Sequence, residues 1–119
     1  MNKLKVLTDL YEEYKNCSNC KLSSNRKNVV FGTGNFNADI LIIGKIPYEE
    51  DDKHGYPFID YNGRIIDYIL AKESGQQDLI SLASSFKIKS DKFYWDDHFK
   101  VKEILCKNIF YTNVVLCIP

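Results

Sequence analysis

Residues 38–44 read Ala-Asp-Ile-Leu-Ile-Ile-Gly, a run of mainly apolar and β-branched residues that does not alternate with polar ones. Such a run is typical of a strand that is buried on both faces of a parallel sheet. A second buried strand is predicted at Ile109–Leu116, near the other end of the chain. Because helical patterns separate the two strands, the sequence predicts an α/β domain that binds ligands at the carboxyl ends of its strands.

The remaining elements are predicted from apolar spacing and from the positions of glycine and proline. The apolar face of the central helix carries Ile65, Ile66, Ile69 and Leu70. In chain order, the predictions are a helix at Leu4–Tyr14, a short strand at Val29–Phe31, a charged loop at Lys45–Asn62, a helix at Gly63–Glu73, a short helix around Leu79–Leu82 and a helix near Phe99–Leu105.

Composition excludes several classes of protein. The chain has 119 residues, with 16 Lys and Arg against 16 Asp and Glu, so bulk charge alone does not attract nucleic acid. An apolar content of 45% is too high for a disordered chain, and no apolar run approaches the roughly 18 residues of a membrane span. The amino terminus lacks a signal-peptide pattern, so we expect a cytoplasmic protein. The strand-like ending at Asn113–Pro119 suggests that the domain is truncated at its carboxyl end.

Four cysteines are candidate metal ligands. Two residues separate Cys17 from Cys20, a spacing that lets both thiolates reach one metal ion, although two ordinary thiols near a helix end would also fit. Cys106 and Cys117 lie far away in the sequence, and each by itself could be a buried apolar residue. Zinc and an iron–sulfur cluster both remain open, and the cluster tolerates looser spacing.

Three polar or aromatic features lie where the two strands end. Four consecutive acids at Glu49–Asp52 form either a solvated charge run or part of a site. Phe58 follows in a rigid Gly- and Pro-containing turn, where it either lines a site or packs in the core. Asn113 lies in a buried strand, and its amide offers the adjacent donor and acceptor that reading the edge of a nucleobase requires. A structural asparagine that joins two loops is the alternative.

Taken together, these segments resemble the iron–sulfur uracil-DNA glycosylases, the family 4 type of that superfamily. The resemblance covers most of residues 1–74 and 109–119, whereas residues 75–108 are longer than the family has there and are interpreted as an insertion in one incomplete domain, residues 1–119. The motifs that carry it are Cys17-x2-Cys20, Val29–Asn35, Ala38–Ile40, Gly44-x-x-Pro47 with its acidic run, Gly55-x-Pro57-Phe58, Asn62-Gly63 and Tyr111–Val115 followed by Cys117 and Pro119.

The resemblance implies a three-layer α/β/α fold with a mostly parallel central sheet. It also implies an enzyme of base excision repair that flips uracil out of single- or double-stranded DNA and hydrolyses its N-glycosidic bond. Phe58 would stack on uracil, and Asn113 would accept from N3–H and donate to O4. Asp51 would orient the attacking water. The resemblance further implies that the backbone of Lys45, Ile46 and Pro47 lies at the uracil edge and that Tyr48 lies beside the base. It also implies a 4Fe-4S cluster, whose ligands would be Cys17, Cys20 and Cys117, with Cys106 as the fourth.

The sequence also departs from the family pattern. Lys45 and Asp51 each replace a glutamate, and Tyr48 replaces a glycine. Tyr48 would either exclude the thymine methyl group or fill a pocket that is no longer used. The chain ends before a further cysteine and a late His-Pro motif that the family has. These departures favour an alternative, a non-catalytic glycosylase-like module that binds DNA or protein. Such a module could be the amino-terminal part of a phage DNA polymerase or another replication protein, or could pair with a missing carboxyl-terminal half.

Overall fold

Two parallel strands, β2 (Ile40–Gly44) and β3 (Ile109–Asn113), organise the fold in a computed structural model that describes residues 2–84 and 95–119. A short strand, β1 (Thr33–Gly34), pairs antiparallel with β3 and gives the sheet order β1-β3-β2. The helices are α1 (Lys3–Tyr14), α2 (Glu49–His54), α3 (Tyr61–Ser74), α4 (Gln77–Ala83) and α5 (Trp95–Leu105), with a 3-10 turn at Lys21–Ser24.

The central strand β3 separates two layers of helices. Its residues Ile109, Tyr111 and Asn113 are buried on one face, where the first two join the apolar core formed with α3, α4 and α5. Phe110 and Thr112 point to the opposite face, where they line a groove of about 830 Å³ beside α1. Because strand residues alternate between faces, one strand contacts both helical layers. Helices on both sides of a small mixed sheet confirm the predicted α/β class.

The prediction that Ala38–Gly44 is buried on both faces is wrong. The strand begins at Ile40, and Leu41 and Ile43 are 58% and 57% exposed. The reason is position in the sheet, since β2 is an edge strand and only Ile42 packs against the apolar core. The apolar run therefore predicts a strand correctly. The burial of that strand depends on which strands and helices pack beside it, and the run does not specify them.

Two boundaries also differ from the predictions. The residues at Val29–Phe31 form no strand, although Val30 donates a backbone hydrogen bond to the Leu116 carbonyl at 2.7 Å. The predicted loop at 45–62 contains the short helix α2. Four acidic residues occupy the first turn of α2, where they interact favourably with the helix dipole.

The helix predictions near 4–14, 63–73, 79–82 and 99–105 are confirmed by α1, α3, α4 and α5. The buried face of α3 differs from the isoleucine face, because Ile69 is 54% exposed while Gly63, Asp67 and Ala71 are buried. Only residues 75–84 and 95–108 of the proposed insertion are described, so residues 85–94 of that segment lie outside the described residues. Within the described ranges, no helix is long and apolar enough to cross a membrane.

A buried histidine in α5 should make the stability of the fold depend on pH. His98 is 3% exposed, and burial lowers its pKa to about 3, helped by the positive charges of Lys102 and Arg64. An unfolded histidine has a pKa of about 6.5, so the unfolded chain binds the proton more tightly between these values. The contribution of neutral His98 is fully present above pH 6.5 and is lost as the pH falls towards 3.

We therefore expect His98→Gln to lose less stability than the unmodified chain between pH 7.5 and 4.5. The difference should be about 2.7 kcal/mol in the free energy of unfolding, because pH 4.5 lies two units below 6.5 and each unit corresponds to about 1.4 kcal/mol. Urea unfolding at the two pH values measures it. Equal losses in the two proteins would contradict a buried, neutral His98.

Candidate functional site

A cavity of about 210 Å³ lies at the carboxyl ends of β2 and β3. Its walls come from the segment after β2, the turn before α3, the first turns of α3 and the last residue of β3. The paired strands end at the same edge of the sheet, which brings these distant segments together. The cavity is lined by six of the predicted site residues, namely Lys45, Ile46, Tyr48, Asp51, Phe58 and Asn113.

Asn113 supplies a buried amide at the base of this cavity. It ends β3 opposite Gly44 and is only 7% exposed. Within the described part of the chain, its Nδ2 is buried and has no hydrogen-bond partner. An unsatisfied buried donor is destabilising, so the geometry of the amide suits a ligand that supplies the missing acceptor.

Gly44 leaves room for the Asn113 amide and for the ring of Phe58. A Cβ atom built at Gly44 would collide with Oδ1 of Asn113 and would lie 2.7 Å from Cζ of Phe58. Any side chain at this position would therefore enter the space between the ring and the amide. The glycine at the end of β2 thus allows both groups to face the same cavity.

Phe58 is held in a strained backbone conformation. Its φ of +60° is the only positive value among the non-glycine residues that the structure describes. Such strain persists where the surroundings enforce it and is common at functional sites. Gly63 permits the close approach of α3 to this residue, since a Cβ at Gly63 would overlap the Phe58 backbone. The ring lies against Tyr111, with 5.6 Å between centroids, so Phe58 both contacts the core and lines the cavity.

Asp51 joins the two segments that flank the cavity. It is 2% exposed, and its Oδ1 accepts from the backbone N–H groups of Ile59 at 2.9 Å and Asp60 at 3.2 Å. Its Oδ2 accepts from the N–H of Tyr48 at 3.1 Å. Burial raises the pKa of Asp51, while these three N–H groups act in the opposite direction. The carboxylate therefore fixes the turn that carries Phe58.

The other acids of the Glu49–Asp52 run have different surroundings. Asp52 is 5% exposed and accepts from the backbone N–H groups of Lys27 at 2.8 Å and Asn28 at 3.1 Å. Glu49 is exposed. The run is thus neither wholly solvated nor wholly directed into the cavity, since two of its carboxylates hold neighbouring loops.

The remaining residues predicted at the uracil edge differ in exposure. Pro47 is fully buried and does not line the cavity, whereas Lys45 is exposed. Tyr48 is 48% exposed, so its ring reaches both the cavity and solvent. Lys45 and Tyr48 therefore lie at the solvent-exposed side of the cavity.

The cysteines fall into two groups. Cys17 and Cys117 line the groove beside α1. Burial raises the pKa of Cys117, the positive charge of Arg26 lowers it, and the nearby sulfurs of Cys20 and Cys17 raise it further. Cys106 lines a different cavity, with Thr33 and Lys102. In residues 2–84 and 95–119, no three His, Cys, Asp or Glu side chains are close enough to hold a metal ion. Three thiols gather near the groove without a coordinating geometry.

Sequence reasoning assigned no site role to five residues that line the cavity. One is Gly44 at the end of β2, and the other four come from the turn and first residues of α3, namely Asp60, Asn62, Gly63 and Ile66. The pattern Asp60-x-x-Gly63 could have indicated these four, because Asp60 caps α3 by accepting from the N–H of Gly63 at 3.0 Å. Such a cap fixes the start of the helix, and with it the wall of the cavity.

Comparison with known proteins identifies relatives of this arrangement. A family model described as the uracil DNA glycosylase superfamily matches residues 31–119. The chain is similar to the Type-4 uracil-DNA glycosylase of Thermotoga maritima, with 44% identity over 64 residues, which cover 54% of this chain and 33% of that protein. It is also similar to the Type-4 uracil-DNA glycosylase of Saccharolobus solfataricus, with 39% identity over 66 residues, 56% of this chain and 29% of that protein.

A further Type-4 uracil-DNA glycosylase, from Pyrobaculum aerophilum, is 35% identical over 66 residues, which cover 56% of this chain and 34% of that protein. The aligned part thus spans about a third of the length of these curated relatives. The family match covers most of the chain and includes both β2 and β3. The chain belongs to the uracil-DNA glycosylase superfamily.

Proposed function

We propose that this chain forms the uracil-recognition part of a uracil-DNA glycosylase. Its substrate would be uracil extruded from DNA, and the completed enzyme would hydrolyse the N-glycosidic bond. The observation that carries this proposal is the pairing of the unsatisfied Asn113 amide with the Phe58 ring across a cavity of about 210 Å³. The relatives that match the chain are Type-4 uracil-DNA glycosylases.

The amide chemistry of Asn113 favours uracil over cytosine. Its Oδ1 would accept from uracil N3–H, and its free Nδ2 would donate to O4. Cytosine presents an acceptor at N3 and a donor at N4, which is the opposite pattern. Phe58 would cover one face of the base, and its contact with the buried Tyr111 ring supports its own ring before the base arrives. Recognition therefore needs little rearrangement of the protein.

Asp51 would orient the attacking water. A carboxylate offers about four acceptor sites, and three backbone N–H groups occupy three of them, which leaves one on Oδ2. Water held there would attack C1′ of the sugar while the C1′–N1 bond breaks and its electron pair leaves with uracil. Burial raises the pKa of Asp51, which improves its ability to accept a proton from that water.

A second candidate function is binding without cleavage. The use of Asp51 as an acceptor for Tyr48, Ile59 and Asp60 supports it, because the same carboxylate stabilises the turn whether or not the chain catalyses a reaction. A glycosylase-like module of this kind would bind uracil-containing DNA, or a replication protein, and release no free base. Assaying uracil release next to binding distinguishes the two candidates.

Asn113→Ala should weaken binding of a uracil-containing single-stranded oligonucleotide at least tenfold, about 1.4 kcal/mol. The variant loses both hydrogen bonds to the base, so its preference for uracil over cytosine should also disappear. Fluorescence anisotropy with matched oligonucleotides measures both effects. Asn37→Ala is the control, because Asn37 is exposed and lies outside the cavity. Unchanged discrimination in Asn113→Ala would rule out this role of the amide.

Gly44→Ala should abolish uracil binding while the chain stays folded, since the added methyl group occupies the space between Phe58 and Asn113. Gly75→Ala is the matched control. It strains a residue with a φ of +72° but has no atom within 4 Å of the new Cβ, so it should lower stability and leave binding intact. Circular dichroism and the same anisotropy assay separate the two effects. Normal binding by Gly44→Ala would show that uracil lies elsewhere.

We further propose that Cys17, Cys20 and Cys117, which lie near one another but not in a coordinating geometry, are drawn together as ligands when an iron–sulfur cluster binds, with zinc as the alternative metal. Protein purified without oxygen should then contain about four irons per chain and acid-labile sulfide. Cys117→Ser should lower the iron content, whereas Cys106→Ser should keep it, because Cys106 lines a different cavity. One zinc and no iron would favour a structural metal, and a protein without metal would contradict both assignments.

A further inference from the structure

A buried pair of opposite charges lies beneath the candidate uracil cavity. Lys102 of α5 places its Nζ 2.8 Å from Oδ2 of Asp67 in α3, and the two side chains are 7% and 1% exposed. Removing two charges from water is unfavourable, and the attraction between them often does no more than compensate. A buried ion pair therefore contributes little net stability to the fold.

Tyr111 completes a closed set of contacts with this pair. Its hydroxyl donates to Oδ1 of Asp67 at 3.0 Å, in a fully buried environment. The Nζ of Lys102 lies 3.8 Å from the centroid of the Tyr111 ring, where a cation is attracted to the ring face. The Tyr111 ring is thus fixed at two places, at its hydroxyl by Asp67 and at its face by Lys102.

The fixed Tyr111 ring supports Phe58. Their centroids are 5.6 Å apart with a tilt of 46°, and the Nζ of Lys102 is 6.0 Å from the Phe58 centroid. Gly63 of α3 packs so closely against the Phe58 backbone that a Cβ there would overlap it. The same helix therefore contacts Phe58 directly at Gly63 and is linked to it through Asp67 and Tyr111.

Tyr111 also determines where the Asn113 amide lies. The two residues are separated by one position on β3, so their side chains project from the same face of the sheet. Anchoring Tyr111 to α3 fixes this face of β3 relative to the helix that supports Phe58. The same group of buried contacts therefore supports both the Phe58 ring and the strand face that carries the Asn113 amide.

We propose that Lys102, Asp67 and Tyr111 form a positioning triad that sets the distance between the Phe58 ring and the Asn113 amide. The proposal rests on the proposed function, because it assigns the triad to the uracil cavity. None of the three residues lines that cavity, so they act through Phe58 and Asn113 and not by contact with the base. Lys102 reaches the triad from α5, within the segment at 75–108 that the sequence marks as atypical.

The test uses the double variant Lys102→Met/Asp67→Asn in the full chain. It removes both charges together, so that no unpaired charge stays buried, and it keeps an acceptor for the Tyr111 hydroxyl. We expect the variant to unfold at a urea concentration equal to or higher than that of the unmodified chain. Its dissociation constant for free uracil, from an NMR titration, should rise at least tenfold. Stability and affinity should therefore move independently, which a purely structural role would not produce.

Leu79→Ala is the matched control, because Leu79 is buried in α4 and does not line the cavity. It should lower the stability of the fold and leave uracil affinity within twofold. A second measurement follows the cavity without any ligand, through nuclear Overhauser contacts between the Phe58 ring and the Asn113 side-chain amide. These contacts should be present in the unmodified chain and weakened in the double variant.

The two proposals fail in different ways. Uracil binding by the double variant within twofold of the unmodified chain would overturn the triad and leave the proposed function intact. Failure of the unmodified chain to bind uracil at millimolar concentration would overturn the proposed function. In that case the nuclear Overhauser contacts between Phe58 and Asn113 still test the triad. Their persistence in the double variant would overturn the positioning role, and their loss would support it.

Discussion

The register between β2 and β3 is the constraint on which the rest of the site depends. Parallel pairing sets Gly44 opposite Asn113, and the segment after Gly44 begins where the Asn113 side chain emerges. A slip of one residue would turn Asn113 to the face beside α1, because neighbouring residues of a strand point to opposite faces. The cavity would then lose its only amide from β3. Backbone hydrogen bonds continue past the strand ends, from Val114 N–H to Gly44 and from Val115 N–H to Lys45, and hold the register at this edge.

Buried polar groups fix the cavity walls around this register. Asp51 joins the Tyr48 segment to the Ile59–Asp60 turn through three N–H donors, which compensates for taking its charge out of water. The ion pair of Asp67 and Lys102 does the same beneath Phe58. These contacts hold a loop and an aromatic ring in positions that apolar packing alone would leave less well defined. Nδ2 of Asn113 has no hydrogen-bond partner among the described residues, and Asn113 lines the cavity in which a ligand is expected.

In the acidic run and in the apolar strand, residues of similar chemistry have different burial and different contacts. The four acids at Glu49–Asp52 are alike in sequence, but Asp51 and Asp52 are buried hydrogen-bond acceptors and Glu49 faces solvent. Likewise Leu41 and Ile42 are neighbours of similar hydrophobicity, and only Ile42 packs on the core. In both cases the difference depends on whether another part of the fold packs against the side chain, because a residue is buried only where a second element covers it.

The sequence by itself determined the element types, the α/β class and the identity of most residues around the cavity. Periodicity predicts α1 and α3, the β-branched runs predict β2 and β3, and Phe58 and Asn113 stand out as an aromatic ring in a rigid turn and an amide in a buried strand. Such signals are local, because they depend on residues a few positions apart. Only the tertiary structure decided that β2 is an exposed edge, that Asp51 holds a turn, and that Asp67, Lys102 and Tyr111 meet under Phe58. The contacts of Asp67 with Lys102 and Tyr111 join residues 35 and 44 positions apart and have no local sequence pattern, because they form only when separate helices and strands pack together.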